Sequence, residues 1–361
     1  MKPVFLTLLL ISFSSISLAQ QPLKLVIAGL SHGHVDWIFN RKDKHDVQLV
    51  GVYEKNPVLV ERYIKRYQLD KSLFYDNFEQ MLEQLKPQAV AAFGAISEHI
   101  DIVRVAAPRG VHVMVEKPLA TTFADAKEIQ ALAEKHQIHV LTNFETSWYQ
   151  SNQEIKTLVD QGKLGAIRKV MVNDGHQGPK EIGVSKEFLE ILVDPAKNGA
   201  GALVDFGCYG ANLMTWLMNG ERPISVTAVI QQNKPDIYKE VDDEASIILQ
   251  YPTAQCIIQA SWNWPFSRKD MEVYGTNGYA VAVDAVTLRQ RLNSGENEST
   301  VKLDARPAPH NDPFSFLSAV VAGTITLDDS DLYGLSINTI AVEILEAAMQ
   351  SAASQKTIFL K

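Results

Sequence analysis

Leu23-Lys-Leu-Val-Ile-Ala28-Gly29-Leu-Ser-His-Gly33-His34 decides the fold of the first half of this chain. The apolar run at its start predicts a buried strand, and the glycine after it predicts a tight turn into a helix. Gly29 can make that turn, and the small Ser31 lets the backbone approach a pyrophosphate group. His34 stands where a third small residue would be expected, so the match to a dinucleotide-binding loop is incomplete. The residues predicted to contact the pyrophosphate are Gly29, Ser31, His32 and Gly33.

Strand and helix patterns alternate from this loop to Asn143, which predicts βαβ units and a parallel sheet. The predicted strands are 23–28, 47–53, 73–75, 89–93, 111–115 and 138–142. From 224 to 288 the strands become long and follow one another without helices between them, which predicts an antiparallel sheet. The fold class is therefore an N-terminal Rossmann-type parallel sheet domain, followed by a C-terminal α+β domain with a large, mainly antiparallel open sheet. We place the domains at residues 20–143 and 144–361.

The bulk composition is that of an ordinary globular protein. The 361 residues are 46% hydrophobic and 21% charged, which is enough for two cores. The formal net charge is −8, from 34 basic and 42 acidic residues, and no basic stripe is present. We therefore expect no nucleic-acid partner.

Residues 1–19 have the composition of a secretory signal peptide. Lys2 precedes a short apolar core, and Ser17 and Ala19 fit the small-x-small rule for cleavage. The residue directly after Ala19 is not a cysteine, so a lipid anchor is not predicted, and the lack of adjacent arginines argues against the twin-arginine route. The apolar stretch is too short to span a bilayer. We expect a periplasmic or secreted protein without a membrane anchor, with an uncleaved apolar helix as the alternative.

The cysteines and histidines do not suggest a metal or a disulfide framework. Cys208 and Cys256 could pair in an oxidising compartment, but buried free thiols are the favoured interpretation. His32 and His34 lie two apart on a loop, and no carboxylate is expected near the two rings, so no metal site is expected.

Two residues after the second predicted strand bear on the choice of cofactor. Glu54 lies where an acid hydrogen-bonds the adenosine ribose hydroxyls, and its charge would repel a 2′-phosphate. The neighbouring Lys55 could contact such a phosphate or could be a solvated turn residue. The pattern predicts NAD as the cofactor, with NADP possible.

Three residues form a candidate catalytic group. Lys117 follows the strand 111–115, at the strand end where open α/β sheets bind ligands. Asp205 and Tyr209 are four apart, so on one helical turn they would project together. The plain alternatives are a surface lysine before Pro118 and an N-cap aspartate with a packed tyrosine.

The order of these motifs resembles the Gfo/Idh/MocA family from residue 23 to near the C-terminus. The resemblance rests on the glycine turn, His99, Glu116-Lys117-Pro118, the stretch 199–209 and the pair Ser261-Trp262. Tyr209 stands where many members carry His. The family implies that Lys117, Asp205 and Tyr209 meet the nicotinamide and a sugar hydroxyl, and that the open sheet faces the active site or supports a homo-oligomer.

Oxidation of a secondary alcohol needs a base for the O–H proton while hydride leaves carbon. Lys and Tyr both have ordinary pKa values above 10, so either must be shifted to act as that base, and the sequence leaves the choice open. Trp148 could stack on a pyranose ring or simply pack. We place these further residues at the cofactor: Ser97, His99, Glu116 and Asn143. We place Trp148 and His176 at the substrate, a small-molecule sugar or glycoside.

The residues and the family resemblance together predict an exported NAD(P)-dependent oxidoreductase with a tightly held cofactor. The resemblance implies that it acts on a secondary hydroxyl of a sugar or polyol. An alternative is a glycoside-cleaving enzyme, in which transient oxidation acidifies a neighbouring C–H and permits elimination. A sensor that binds the cofactor without catalysis is less favoured, because all three catalytic candidates are present.

Overall fold

The computed structural model describes residues 21–42 and 45–360. The predicted signal peptide, residues 1–19, lies outside this described part of the chain. Within the two described ranges, no helix combines the length and apolar character needed to cross a bilayer.

The first sheet has six parallel strands in the order β3-β2-β1-β4-β5-β6. The strands are β1 (Leu23–Ala28), β2 (Val47–Tyr53), β3 (Phe74–Tyr75), β4 (Ala89–Ala92), β5 (His112–Glu116) and β6 (Val140–Asn143). All six were predicted, with ends that differ by up to two residues. Strands β4 and β6 are buried on both faces, as expected of a sheet covered by helices on both sides.

The connections of this sheet are helical. The helices are α1 (Val35–Asn40), α2 (Pro57–Tyr67), α3 (Phe78–Leu85), α4 (His99–Ala106) and α5 (Phe123–His136). Asn56, Asn77 and Thr122 each accept a backbone N–H at the start of a helix, which is why α2, α3 and α5 begin where they do. Pro57 at the first position of α2 adds to this signal.

The second sheet has nine strands in the order β14-β13-β12-β11-β7-β10-β9-β8-β15. Its strands are β7 (Ile167–Gly175), β8 (Ser225–Gln231), β9 (Glu244–Gln250), β10 (Gln255–Ser261), β11 (Arg268–Gly275), β12 (Tyr279–Ala282), β13 (Thr287–Arg291), β14 (Ser299–Lys302) and β15 (Ile358–Phe359). Strands β7 and β10 pair in parallel, and the other neighbouring pairs are antiparallel. The predicted mainly antiparallel sheet is confirmed.

Seven helices accompany the second sheet within the described ranges. They are α6 (Gln150–Asp160), α7 (Lys186–Leu192), α8 (Pro195–Asn198), α9 (Ala202–Asp205), α10 (Gly207–Leu217), α11 (Pro313–Val321) and α12 (Leu335–Ser354). The long helix α12 contacts α10 and β8 of the second domain and α5 of the first. The two sheets are thereby packed into one body, with the carboxyl edge of the first sheet facing α9, α10 and the second sheet.

Cys208 and Cys256 are both free and buried. The favoured interpretation of the two cysteines is thus confirmed.

Candidate functional site

Gly29 and Glu54 border a cavity of about 450 Å³, called here the adenosine-side cavity. Gly29 has φ of +85°, and a Cβ there would lie 2.7 Å from the backbone nitrogen of Gly94, so this turn requires glycine. The Glu54 carboxylate accepts the amides of Leu30 at 2.9 Å and Asn56 at 2.7 Å. Burial raises the pKa of Glu54 above its ordinary value. These bonds fix the carboxylate at the end of β2, where a ribose hydroxyl would be bound.

The turn between β1 and α1 leaves two amides free to meet a phosphate. Among the described residues, the amides of Ser31 and Gly33 donate to no protein acceptor, whereas the His32 amide donates to the Phe93 carbonyl at 2.9 Å. Ser31 lines both the adenosine-side cavity and a second cavity of about 500 Å³, called here the inner cavity. Two cavities joined by a turn with free amides have the layout of a dinucleotide, so the residues present fit NAD.

His32, His34 and Glu116 form a cluster beside this turn. Their ligand atoms lie within 4.8 Å of one another, so the expectation that no carboxylate is near the two histidines is wrong. Glu116 Oε2 lies 3.0 Å from His34 Nδ1, and Glu116 Oε1 accepts from Asn143 Nδ2 at 2.7 Å. These contacts hold the phosphate turn to the ends of β5 and β6.

The hydrogen bonds of His32 favour a proton over a metal in this cluster. His32 Nδ1 accepts the amide of His34 at 3.2 Å, so the neutral ring carries its hydrogen on Nε2, the atom that faces Glu116 at 3.8 Å. Burial lowers the pKa of His32 to about 3, which keeps the ring neutral at pH 7. A metal bound at Nε2 would need that hydrogen removed. The absence of a metal stays a prediction, and it now rests on the hydrogen that His32 carries on Nε2.

Lys117 and Asp205 form a buried ion pair at the inner end of the inner cavity. Lys117 Nζ donates to Asp205 Oδ1 at 2.5 Å and to the Asp205 carbonyl at 2.9 Å, and Trp262 Nε1 donates to Asp205 Oδ2 at 2.9 Å. Burial lowers the pKa of Lys117, but the nearby acidic groups, first among them Asp205, together raise it more, and the net direction is upward. Burial likewise raises the pKa of Asp205, and Lys117 together with His176 and the Trp262 hydrogen bond lowers it more. Both partners are therefore charged at neutral pH.

Tyr209 lies next to this pair. Its ring centroid is 5.2 Å from Lys117 Nζ and 5.1 Å from Lys269 Nζ. Burial, followed by the nearby acidic groups, raises the pKa of the Tyr209 phenol well above 10. The helix predicted to carry Asp205 and Tyr209 on one turn is interrupted at Phe206, between α9 and α10, but both side chains line the same cavity.

Comparison with known proteins agrees with this geometry. Residues 23–144 match the model of an oxidoreductase family with an NAD-binding Rossmann fold, and residues 152–281 match the Gfo/Idh/MocA C-terminal domain. The chain belongs to the Gfo/Idh/MocA family. Its first domain is an NAD-binding Rossmann domain.

Individual relatives are distant. Trans-1,2-dihydrobenzene-1,2-diol dehydrogenase of Xenopus tropicalis is 26% identical over 237 residues, which are 64% of this chain and 66% of the relative. Aldose-aldose oxidoreductase from Caulobacter crescentus, complexed with glycerol, has a TM-score of 0.79 at 24% identity and covers 94% of this chain and 100% of that chain. An inositol dehydrogenase homolog from Azotobacter vinelandii, complexed with NAD+, has a TM-score of 0.81 at 19% identity, covering 97% and 100%. At these identities, the two structures show a shared fold.

The other residues predicted to bind the cofactor of this Gfo/Idh/MocA protein occupy different places. His99 is fully buried beside the adenosine-side cavity; its Nδ1 lies 3.2 Å from the Leu119 carbonyl, and burial lowers its pKa to about 4. Lys55 is exposed and lines the same cavity. Glu116 and Asn143 lie beneath the phosphate turn and line neither cavity, and Ser97 lines neither. Glu116 and Asn143 therefore position the turn rather than border the cofactor space.

The two predicted substrate residues also separate. His176 lines the inner cavity, with its ring 4.8 Å from that of Phe206. Trp148 instead packs between Tyr333 and Phe316, with ring centroids 5.1 and 5.7 Å away, and its Nε1 donates to Asn143 Oδ1 at 3.0 Å. The packing alternative describes Trp148 better than a sugar-stacking role.

The sequence interpretation missed Lys269 and Asp174. They are paired across β11 and β7, near Tyr209, and Lys269 forms an ion pair with Glu145. Both Asp174 oxygens are buried without a hydrogen-bond partner, and burial raises the pKa of Asp174 well above its ordinary value. A signal existed: Asp174 continues the inward-facing series Val170, Val172, so a charge stands in an apolar row near a strand end.

Lys269 and His176 also line a third cavity of about 830 Å³, called here the outer cavity. It lies at the start of β11 and the end of β12, and Tyr149 and Phe266 are among its other walls. The outer and inner cavities meet at Lys269 and His176.

Proposed function

We propose that this protein transfers a hydride between NAD and a secondary hydroxyl of a sugar or polyol. The observation that carries the proposal is the buried Lys117–Asp205 pair beside Tyr209, in a cavity that begins at the dinucleotide turn. The names of the relatives support a hydroxylated substrate, since one is a diol dehydrogenase and another an aldose-aldose oxidoreductase.

Bound NAD would supply the hydride acceptor or donor. Glu54 would bind the adenosine ribose, and the amides of Ser31 and Gly33 would bind the pyrophosphate. The inner cavity then leaves the reacting hydroxyl beside Lys117 and Tyr209.

Lys117 is the group we assign to proton transfer. An ammonium has three hydrogens, and Asp205 accepts two of them, one at the carbonyl and one at the carboxylate. The third is directed to no acceptor among the described residues and is available to a substrate oxygen. In the reducing direction Lys117 donates this proton. In the oxidising direction the ammonium must first lose a proton, and the neutral amine then accepts the proton of the substrate hydroxyl.

Tyr209 has the complementary role of positioning. Its phenol stays protonated because burial and the surrounding acidic groups disfavour phenolate. A neutral phenol can donate a hydrogen bond to the reacting oxygen without giving up its proton. Lys117 and Tyr209 would thus hold the same oxygen from two sides.

The test is incubation with NAD and a panel of sugars and polyols, followed at the absorbance band of reduced nicotinamide. Wild-type protein should reduce NAD with at least one compound. Lys117→Ala should lose about 10²-fold or more in kcat, and Tyr209→Phe should lose less. Full turnover in both variants would contradict the roles assigned to Lys117 and Tyr209.

Glycoside cleavage through transient oxidation is the second candidate, and the outer cavity favours it by offering room for a leaving group. Oxidation of a ring hydroxyl acidifies the neighbouring C–H, whose proton is removed by a base while the leaving group departs with a proton. Water then adds to the double bond that forms, and the hydride is returned to the carbonyl carbon. Cleavage of an aryl glycoside without net reduced nicotinamide would support this candidate, whereas net reduction without cleavage would support the first.

We also propose export with a retained cofactor, on the composition of residues 1–19. Dinucleotide is scarce outside the cytoplasm, so a cofactor that stays bound would be recycled between two substrates. Mass spectrometry of the protein as purified from the periplasmic fraction should show an N-terminus at Gln20 and bound NAD. An intact N-terminus would contradict cleavage after Ala19, and absence of the protein from the periplasmic fraction would contradict export. A protein free of nucleotide would contradict retention.

A homo-oligomer formed through the open face of the second sheet is a further proposal. Val229 and Ile248 are 69% and 38% exposed on the neighbouring strands β8 and β9, so apolar side chains lie uncovered on this sheet. Light scattering should give a mass above that of one chain, and Ile248→Lys should lower it. A monomer at all concentrations would contradict the proposal.

A further inference from the structure

The outer cavity adjoins the inner cavity, in which the proposed reaction takes place. Lys269 and His176 form part of both the inner and the outer cavity. Lys269 Nζ lies 5.1 Å from the ring centroid of Tyr209. A substrate held at Tyr209 therefore lies beside Lys269, in the wall that the two cavities share.

The outer cavity is too large for the edge of a single sugar ring. Its volume is about 830 Å³, against about 500 Å³ for the inner cavity. Ligand cavities of this size typically hold molecules of several rings. The space therefore fits a substituent of at least one further ring.

The charged side chains around the outer cavity favour an uncharged ligand. Its walls carry four acidic side chains (Glu145, Asp270, Glu272 and Asp284) and three basic ones (Arg268, Lys269 and Arg289). Lys269 is paired with Glu145 and Arg268 with Asp270, so the two signs largely cancel. A phosphate or carboxylate would meet no unpaired basic cluster, whereas hydroxyl groups can bond to both signs.

One wall of the outer cavity is apolar. Phe266 is 65% exposed in the loop between β10 and β11, although most large aromatic side chains of the described chain are covered. Val283 lies on the same cavity and is 41% exposed. A flat aromatic ring amid hydrogen-bonding groups matches a sugar ring, which has apolar C–H faces and polar edges.

We propose that the outer cavity binds the second sugar of a glycoside whose first sugar reacts in the inner cavity. The inference rests on the proposed function and narrows its substrate class from sugars in general to disaccharides and larger glycosides. Phe266 is assigned to stacking on the second ring, and it takes no part in hydride or proton transfer.

The test compares glucose and galactose with maltose, cellobiose and lactose, with nicotinamide reduction as the readout. For wild-type protein, kcat/KM should be at least about tenfold higher for one disaccharide than for its non-reducing sugar alone. Phe266→Ala should raise KM for that disaccharide about tenfold, leave its kcat unchanged and leave the monosaccharide unaffected. Phe266→Tyr should restore the low KM.

Phe359→Ala is the matched control, because Phe359 is also an exposed phenylalanine, at 69%, but lies on β15 at the far edge of the sheet. Phe359→Ala should leave kcat and KM unchanged for both the monosaccharide and the disaccharide. Equal kcat/KM for monosaccharide and disaccharide in wild-type protein would overturn the inference while the proposed function stands. An equal loss for both substrates in Phe266→Ala would also overturn it. If no sugar reduces the nicotinamide, the proposed function is contradicted, and the inference that rests on it is overturned as well.

An interface between copies of the chain is the competing use of Phe266. Light scattering of Phe266→Ala separates the two. A lower mass with unchanged KM would assign Phe266 to an interface and overturn the inference, and an unchanged mass with a raised KM supports it.

Discussion

Two buried aspartates near the same lysines hold their carboxyl groups in opposite ways. Asp205 has one oxygen bonded to Lys117 and the other to Trp262. Its pKa lies below the ordinary value because Lys117, His176 and the Trp262 hydrogen bond together outweigh the effect of burial. Asp174 has neither oxygen bonded, and burial raises its pKa well above that value. Their exposures are similar, at 6% and 1%, so the partners decide the charge.

This difference explains why only one aspartate belongs to the proposed chemistry. Asp205 is a fixed anion that keeps Lys117 cationic and directs its remaining hydrogen. Asp174 has a raised pKa and no hydrogen-bond donor among the described residues, and it does not line the inner cavity. A buried carboxylate becomes part of a charged pair only where its donors are already in place.

Removal of Lys117 should have the largest effect on this comparison. Lys117→Met leaves Asp205 as a buried anion without its cation, so we expect a loss of about 3–5 kcal/mol in the free energy of unfolding. We also expect kcat to fall by about 10²–10⁴-fold. Urea unfolding and steady-state kinetics measure the two.

Lys269→Met is the control for this variant, because Lys269 is the lysine paired in register with Asp174. Its ion-pair partner, Glu145, has a side chain that is 33% exposed and can be solvated when the lysine is lost. The loss of stability should therefore be smaller. Equal losses of unfolding free energy would mean that the Lys117–Asp205 pair stabilises the fold no more than the Lys269–Glu145 pair does.

Trp262→Phe should have the next largest effect, since it removes the donor to Asp205 Oδ2 while keeping an aromatic ring. A hydrogen bond to a charged group contributes about 1.5–3 kcal/mol, so the free energy of unfolding should fall by that amount at pH 7. The folded-state pKa of Asp205 is depressed, so its stabilisation is present above pH ~4 and is lost as pH falls below that value. Urea unfolding between acid and neutral pH should show the wild-type and Trp262→Phe curves converging at low pH, and parallel curves would contradict this.

Asp174→Asn should have the smallest effect and the opposite pH dependence. The folded-state pKa of Asp174 is raised, so above pH ~4 the unfolded state ionises while the folded state stays neutral, and wild-type stability falls as pH rises. An amide does not titrate, so the variant should gain stability relative to wild type from pH ~4 upwards. Activity should change by less than about tenfold. A variant that loses stability as pH rises would show that Asp174 is ionised and paired in solution.

Most of the fold could be predicted because hydrophobic periodicity and turn residues are local signals. Strands β1 and β2 were predicted to the residue, and the change from alternating helices to consecutive strands located the second sheet. The glycine turn, the position of Lys117 at a strand end and the spacing of Asp205 and Tyr209 are local signals too. The family resemblance joined Lys117 to Asp205, which lies 88 residues further along the chain.

The remainder of the site depends on contacts distant in sequence. Glu116 reaches His34 across 82 residues, and Trp262 reaches Asp205 across 57, so neither link has a local signature. Trp148 had two equal interpretations, and only the positions of Phe316 and Tyr333 favour packing. Asp174 showed a signal in its strand alternation, but the pairing that places it beside Lys269 comes from β11, far along the chain.

The most direct test of the central claim is a single turnover of NAD reduction, with enzyme in excess over a sugar that wild-type protein oxidises. Lys117→Met should slow the reduction by about 10²–10⁴-fold while a fluorescence titration shows NAD still bound. Asp174→Asn should reduce NAD at close to the wild-type rate. A Lys117→Met protein that binds NAD and reduces it at the wild-type rate would contradict the account.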